Sequence, residues 1–191
     1  MSADSLLVIF IGPGGVGKGT LAQHVVAAND RMWLSRSWTT REKRASETGD
    51  EYRFVDRDAF EENIAADGFL EWAEFQGNLY GTPRPVAPEG YDLLLEIEVQ
   101  GAEQVLAVNP DAEVFLILPP SMERLEERLR ARGDDDAHVR DRLASAPAEL
   151  AKGRSLATHV IVNDDVGRAS EEILSILEGL RRQRRDLSSK D

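Results

Sequence analysis

The residues best placed to do chemistry are the nine consecutive ones from Gly12 to Thr20, GPGGVGKGT. Gly12, Gly14, Gly15 and Gly17 let a backbone wrap closely around an anion. The N–H groups from Gly14 through Val16 to Thr20 then point at shared phosphate oxygens, and Lys18 adds a point charge. The stretch before it, Leu6 to Ile11, is an unbroken apolar run that reads as a strand buried on both faces. A helix should follow from Lys18 to Ala28, offering its positive N-terminal end to the same anion, with Leu21, Val25 and Val26 facing inward. The strict pattern places Ser or Thr straight after the lysine as a magnesium ligand. Gly19 stands there with Thr20 next, so water or phosphate oxygens are expected to hold the ion.

A second concentration of charge lies in residues 35 to 54, where Arg36, Arg41, Lys43 and Arg44 fall close together. In so acidic a chain this is either a solvated face or a second anion site, and composition by itself favours the solvated face.

These groups need positioning elements. Residues 33 to 39 read as extended and 57 to 66 as a short helix capped by an Asp. Residues 69 to 82 read as a hairpin with Gly77 and Asn78 at its turn. Pro83, Pro85 and Pro88 keep the next segment from being helical. Leu93 to Val99 reads as a buried strand carrying Glu96 and Glu98 on one face near its end, and Val114 to Leu118 as another. Ser121 caps a charged helix running to about Ala131, and a second runs from about Ala137 to Lys152. Between them, Asp134 to Asp136 read as a mobile connection. A last strand covers His159 to Asn163 and a last amphipathic helix 167 to 185, whose RRQRR suits the helix dipole. Alternating strands and helices predict an α/β fold, a parallel sheet with helices on both faces and ligands at the strands' C-terminal ends. Gly12, Ser37, Glu98 and Asn163 all fall at or just past such ends.

Length and composition narrow the function classes. At 191 residues one domain is expected. Without cysteine there is neither a disulfide framework nor a thiolate metal site. A formal net charge of −12 argues against general nucleic-acid binding. No stretch is long and apolar enough for a membrane, and the N-terminus carries an acid where a secretory signal carries bases, so a cytoplasmic protein is expected. Nothing in the sequence sets an oligomeric state.

The motifs TTREKR with Glu47, Gly49 and EYRF, then FLEWAEFQGNLYGT, LLLEIEVQGA, ILPPS, RLRARG and VIVNDD, resemble guanylate kinase in order and spacing from about residue 6 to 176. The resemblance implies a single domain made of a core (about 1–39, 83–123 and 143–187), a mobile mixed α/β GMP-binding lobe (about 40–82) and a short helical lid (about 124–142). It implies that Arg41, Arg44, Tyr52 and Tyr80 clamp the GMP phosphate and that Ser37, Glu71 and Thr82 read guanine, with Glu98 near GMP and the metal. On the ATP side, Arg128 packs near the base, Arg132 and Arg142 reach the phosphates, and Asn163 lies near adenine. The reaction implied is transfer of the γ-phosphoryl group of ATP to GMP, and to dGMP, with Mg²⁺ accompanying ATP. Catalysis would then be positioning and charge neutralisation by Lys18, Arg41, Arg132 and Arg142.

The chain also departs from the family. Gly19-Thr20 is similar to the loop of adenylate kinases, Lys43 and Ser46 replace Pro and Gly, and one residue is missing near Thr48. Glu98 replaces Asp. The helix after Thr82 is cut to PRPVAPEGYD, and the lid is one residue short and acidic. The shortened segment keeps open a relative acting on another nucleoside monophosphate or ribose 1,5-bisphosphate. A non-catalytic binding module of the same fold is a further alternative, against which the intact Lys18 and glycines count.

Overall fold

The computed structural model describes residues 5–43, 47, 49, 52–84 and 87–188. Two sheets organise them. The first is parallel throughout, in the order β2 (Met32–Leu34), β7 (Asp92–Glu96), β1 (Leu7–Ile11), β8 (Glu113–Leu118) and β9 (His159–Val162). The apolar run of β1 sits at its centre, fully paired on both edges, which is why the run does not alternate with polar residues.

Period-two geometry sends Val8 and Phe10 to one face, against α1 (Lys18–Ala27), α4 (Met122–Ala131), α5 (Asp136–Leu156) and α6 (Val166–Ser188). Leu7, Ile9 and Ile11 go to the other face, against α3 (Val99–Val108). Each large side chain buried here contributes roughly 1.5–3 kcal/mol. The base of the sheet is clamped by Asp92, which is fully buried and accepts from Leu6 N at 2.8 Å and Arg181 Nε at 2.7 Å. Arg184 reaches Ser5 O at 2.7 Å. Part of the terminal arginine cluster therefore bolts α6 to the sheet, beyond complementing a helix dipole.

The second sheet has the order β4 (Arg53–Phe54), β3 (Trp38–Thr39), β6 (Asn78–Pro83) and β5 (Phe69–Phe75), and it carries α2 (Arg57–Ala65). It begins at Trp38, two residues before the expected start of the acceptor lobe. Its own small core centres on Phe60, Phe69 and Leu79, with the two phenyl rings stacked at 4.4 Å. Asp56 caps α2 by accepting from Ala59 N at 2.8 Å, as its sequence position indicates.

Several expectations need correction. The hairpin turn is Gln76–Gly77, not Gly77–Asn78: both turn residues have positive φ, 50° and 76°, and Asn78 already pairs with Phe75. The strand expected to run to Val99 ends at Glu96. Val99 opens α3, a helix that the sequence reading did not separate from the apolar run before it. The three lid aspartates are not a loose connection. Asp135 caps α5 through His138 N at 2.8 Å, Asp136 pairs with Arg130, and Asp134 pairs with Arg132.

Candidate active site

The C-terminal ends of β1, β7 and β9 open onto a cavity of about 540 Å³, and residues of the second sheet and its loops line the other side. The loop between β1 and α1 forms the floor. Gly12 has φ 143°, and a Cβ there would stand 2.4 Å from the carbonyl oxygen of Ile117, a backbone atom with nowhere to go. Only glycine lets the chain turn out of the sheet so close to β8. Lys18, the first residue of α1, is buried; its Nζ donates to Gly12 O at 2.6 Å and lies 3.8 Å from Glu98 Oε1. No acid occupies the first turn of α1, so its positive end stays unneutralised from within the helix.

Two side chains brace this loop from the far side. Val16 O accepts from Asn163 Nδ2 at 2.8 Å and from Arg128 Nη1 at 2.9 Å, while Arg128 Nη2 donates to Asn163 O at 2.8 Å. The donors expected to meet the ATP base are therefore engaged with the loop itself. Asn163 Oδ1 is buried without a protein partner and is the atom of that side chain left for a ligand.

Arg132 and Arg142 line the same cavity. Arg132 pairs with Asp134, and its Nε is buried without a protein partner. Arg142 packs against Gly14 so closely that a Cβ there would stand 2.5 Å from Nη1.

Across the cavity, Arg41 grips Glu47 through two bonds, Nη1 to Oε2 at 3.0 Å and Nη2 to Oε1 at 2.7 Å. Burial alone would lower the pKa of this guanidinium, but the hydrogen bonds and charge of Glu47 more than offset it and the net shift is upward. Tyr52 and Tyr80 meet edge to face beside it, ring centroids 6.2 Å apart. The Glu96 carboxylate, then burial, then Glu98 hold the Tyr52 phenol well above its ordinary pKa, so it stays a neutral O–H donor. Arg44 lies outside the described residues. Of its neighbours in the basic cluster, Arg36 donates to the carbonyls of Gly49 and Tyr52 and serves the loop, leaving Arg41 as the one facing the cavity.

Deeper in the lobe, Glu71 is 5 % exposed and accepts from Thr82 N at 2.9 Å through Oε1. Its Oε2 lies against the first turn of α3, 2.2 Å from where a Cβ on Gly101 would be. Burial raises its pKa, opposed by the bonds to Thr82. Ser37 Oγ and Thr82 Oγ1 stand 3.4 Å apart, both buried. The described members of the expected acceptor set thus converge, and all but Ser37, Glu71 and Thr82 line the main cavity.

Two acids at the cavity were given no role by sequence reasoning. Glu47 was only part of a motif, and its sole signal was proximity to the arginine cluster. Glu96 shares a strand face with Glu98 in the sequence, which by itself assigns it no role. Its Oε2 lies 3.1 Å from an ideal Cβ on Gly19, so it occupies the space beside the residue that replaces the usual hydroxyl. Burial raises its pKa, Lys18 lowers it and Glu98 raises it further. Among the described residues no group of three or more His, Cys, Asp or Glu side chains could hold a metal by itself. Glu96, Glu98 and Thr20 do supply hard oxygen donors at the cradle's mouth, the one or two carboxylates that suit a magnesium ion arriving on nucleotide phosphates.

A parallel sheet with a glycine cradle at its central strand and arginines from a helical lid defines a P-loop kinase. The fold overlays a shikimate kinase from Bacteroides thetaiotaomicron with a TM-score of 0.52 at 13% identity, over 91% of this chain and 98% of that one, a likeness of fold alone. A guanylate kinase structure from Anaplasma phagocytophilum gives a TM-score of 0.76 at 30% identity over 93% of this chain and 86% of that one. The family profile described as "Guanylate kinase" matches residues 4–180. Proteins named guanylate kinase from Parasynechococcus marenigrum (strain WH8102) and Symbiobacterium thermophilum are 46% and 44% identical. The first alignment covers 91% of this chain and 96% of the relative, the second 90% and 84%. The chain belongs to the guanylate kinase family. No helix among its described residues is long and apolar enough to cross a membrane.

Proposed function

We propose that this chain transfers the γ-phosphoryl group of ATP to the phosphate of GMP, releasing ADP and GDP, with the roles that follow. The observation that carries the reading is that one cavity sets the cradle and Lys18 opposite Arg41, Tyr52 and Tyr80. That is the arrangement two anionic nucleotides need in order to meet in line.

The loop N–H groups, Lys18 and the positive end of α1 hold the donor phosphates, joined by Arg132 and Arg142. Arg128 and Asn163 keep the loop in register through Val16. On the acceptor side, the Arg41 fork and two phenols grip the GMP phosphate, an assignment shared by Arg44 on the family resemblance. Glu71 accepts from guanine's N1–H and N2–H, with Ser37 and Thr82 beside it. An oxygen of the GMP phosphate attacks the γ-phosphorus, the bond to the β,γ-bridging oxygen breaks, and its electron pair leaves with ADP. The chain's part is to orient the reactants and neutralise charge, so no side chain is assigned as a general base. Glu96 and Glu98, with Thr20, are the oxygen donors that would hold a magnesium ion brought by ATP, and such an ion would add to the charge neutralisation that Lys18 and the arginines provide. The setting that fits these substrates is the cytoplasm, within purine nucleotide metabolism.

The test is ADP release from ATP with GMP, dGMP, AMP, CMP, UMP and ribose 1,5-bisphosphate in parallel, with and without a magnesium chelator. Turnover with GMP, dGMP trailing, and loss on chelation is the expected pattern. Turnover confined to any other acceptor would overturn it. The segment after Pro83 forms no helix in its described part, but no contact there favours a different acceptor.

A further inference from the structure

Three of the arginines at the cavity are held in different ways. Arg41 and Arg132 are each paired with a carboxylate, Glu47 and Asp134, which neutralises them and must yield when a phosphate arrives. Arg142 has no carboxylate partner among the described residues. Its Nε donates to His138 Nε2 at 3.3 Å, its Nη1 side faces Gly14, and its Cζ sits 4.8 Å from the centroid of Phe75.

Phe75 is the last residue of β5, beside the hairpin turn of the acceptor lobe, and it also lines the recess formed by Lys18, Glu71, Tyr80 and Glu98. An aromatic face orients a cation without cancelling its charge. Phe75 thus backs the guanidinium of a buried arginine that lines the cavity, and leaves its charge uncancelled.

We propose that Phe75 is a positioning residue that aligns Arg142 on the transferring phosphoryl group and ties the alignment to the closed position of the acceptor lobe. The inference rests on the reading of Arg142 as a phosphate contact. A lobe that has closed on GMP presents the ring; a lobe swung away withdraws it. GMP bound at one site should therefore tighten ADP at the other, and by linkage the reverse holds.

The variants are F75L, which keeps apolar bulk but removes the π face, F75Y, which keeps both, R142A, and the F75L/R142A pair. Phe75 is half-buried and lies outside the Phe60–Phe69–Leu79 core, so the fold should tolerate Leu, with melting temperature as the check. F75L is expected to lower kcat roughly 3- to 30-fold, the range of a cation–π contact between exposed and desolvated settings, while GMP affinity measured without a second nucleotide should change little. F75Y should stay near wild type. In the R142A background F75L should add less than about twofold, because residues acting through one another are not additive. Calorimetric titration of ADP with and without GMP should show the coupling in wild type and its loss in F75L.

A wild-type kcat in F75L, an F75Y variant as impaired as F75L, or multiplicative effects in the double variant would overturn the proposal. R142A with unchanged turnover would sink the reading of Arg142 itself, and the inference with it. R142A impaired beside an unimpaired F75L would sink the inference alone.

Discussion

Replacing Glu71 by Gln is expected to invert the hydrogen-bond polarity of the base-reading edge, and the inversion follows from a single contact. Glu71 Oε1 accepts from Thr82 N at 2.9 Å in a site that is 5 % exposed. A glutamine there has two orientations. With its NH₂ toward Thr82 it would set donor against a buried donor, so the carbonyl must take the Oε1 place. The NH₂ then occupies the Oε2 place, where guanine brings its own donors. One hydrogen bond to a charged acceptor is lost, about 1.5–3 kcal/mol, and a buried donor is left unsatisfied at about 1–3 kcal/mol more. Allowing for partial relaxation, the sum is about 3–5 kcal/mol, or roughly two to three and a half decades in kcat/KM for GMP. AMP presents an acceptor at the same ring position and should lose nothing or gain. The assay is steady-state ADP release with GMP and AMP over a range of concentrations, and most of the change should appear in KM, since the base is held in ground and transition states alike. Thermal stability should not fall, because the bond to Thr82 survives and a buried charge is removed. Burial also raises the wild-type Glu71 pKa. Acidification should therefore weaken GMP binding from above the ordinary carboxylate value of 4.5, and the Gln variant should lack that limb. A GMP-to-AMP preference that survives E71Q intact would refute the assignment.

Other outcomes follow from the same geometry. R41A removes a guanidinium that forks an anion bidentately, and KM for GMP should rise roughly 10- to 100-fold; unchanged GMP binding by calorimetry would end its role as the clamp. Glu96 has a raised pKa in the folded chain, so unfolding releases its proton first and stability falls as pH rises from 4.5 through the folded pKa. E96Q removes that penalty: its melting temperature should draw ahead of wild type as pH increases from 4.5 and then hold a constant lead, whereas a lead independent of pH would contradict the titration. N163A deletes one of two donors on Val16 O but leaves Arg128 in place. A stability loss of about 1 kcal/mol and a few-fold rise in KM for ATP are expected from chemical denaturation and kinetics, and collapse of the fold would show that Arg128 alone cannot hold the loop.

The cradle was legible in the sequence because its parts are consecutive residues: a buried strand, glycines and a lysine in a row leave few conformations open. The motif resemblance singles out residues scattered from Ser37 to Glu98 as an acceptor set, and the fold brings the described ones to one region, a grouping that spacing along the chain does not reveal. The helix Val99–Val108 was not separated from the strand before it, because Ile97, Val99 and the apolar residues beyond continue the run without a proline or turn pair to mark the change. Glu98 in the N-cap position makes no side-chain cap bond, so even the boundary residue carries no capping signature.

What the sequence by itself determined is local: a phosphate cradle, an alternation of strand and helix, a hairpin with its glycine, and caps at Asp56 and Ser121. What only the tertiary structure decided is which distant side chains share an atom. Val16 O collects donors from residues 128 and 163, Glu96 fills the space beside Gly19, and Arg142 lies between the loop and the ring of Phe75. The physical reason is that backbone propensity acts over a few residues, whereas these contacts are set by the order in which parallel strands stack and by the lobe that closes over them. A charged side chain reads as solvated in a list of residues and becomes a site only when the fold denies it water and supplies a partner.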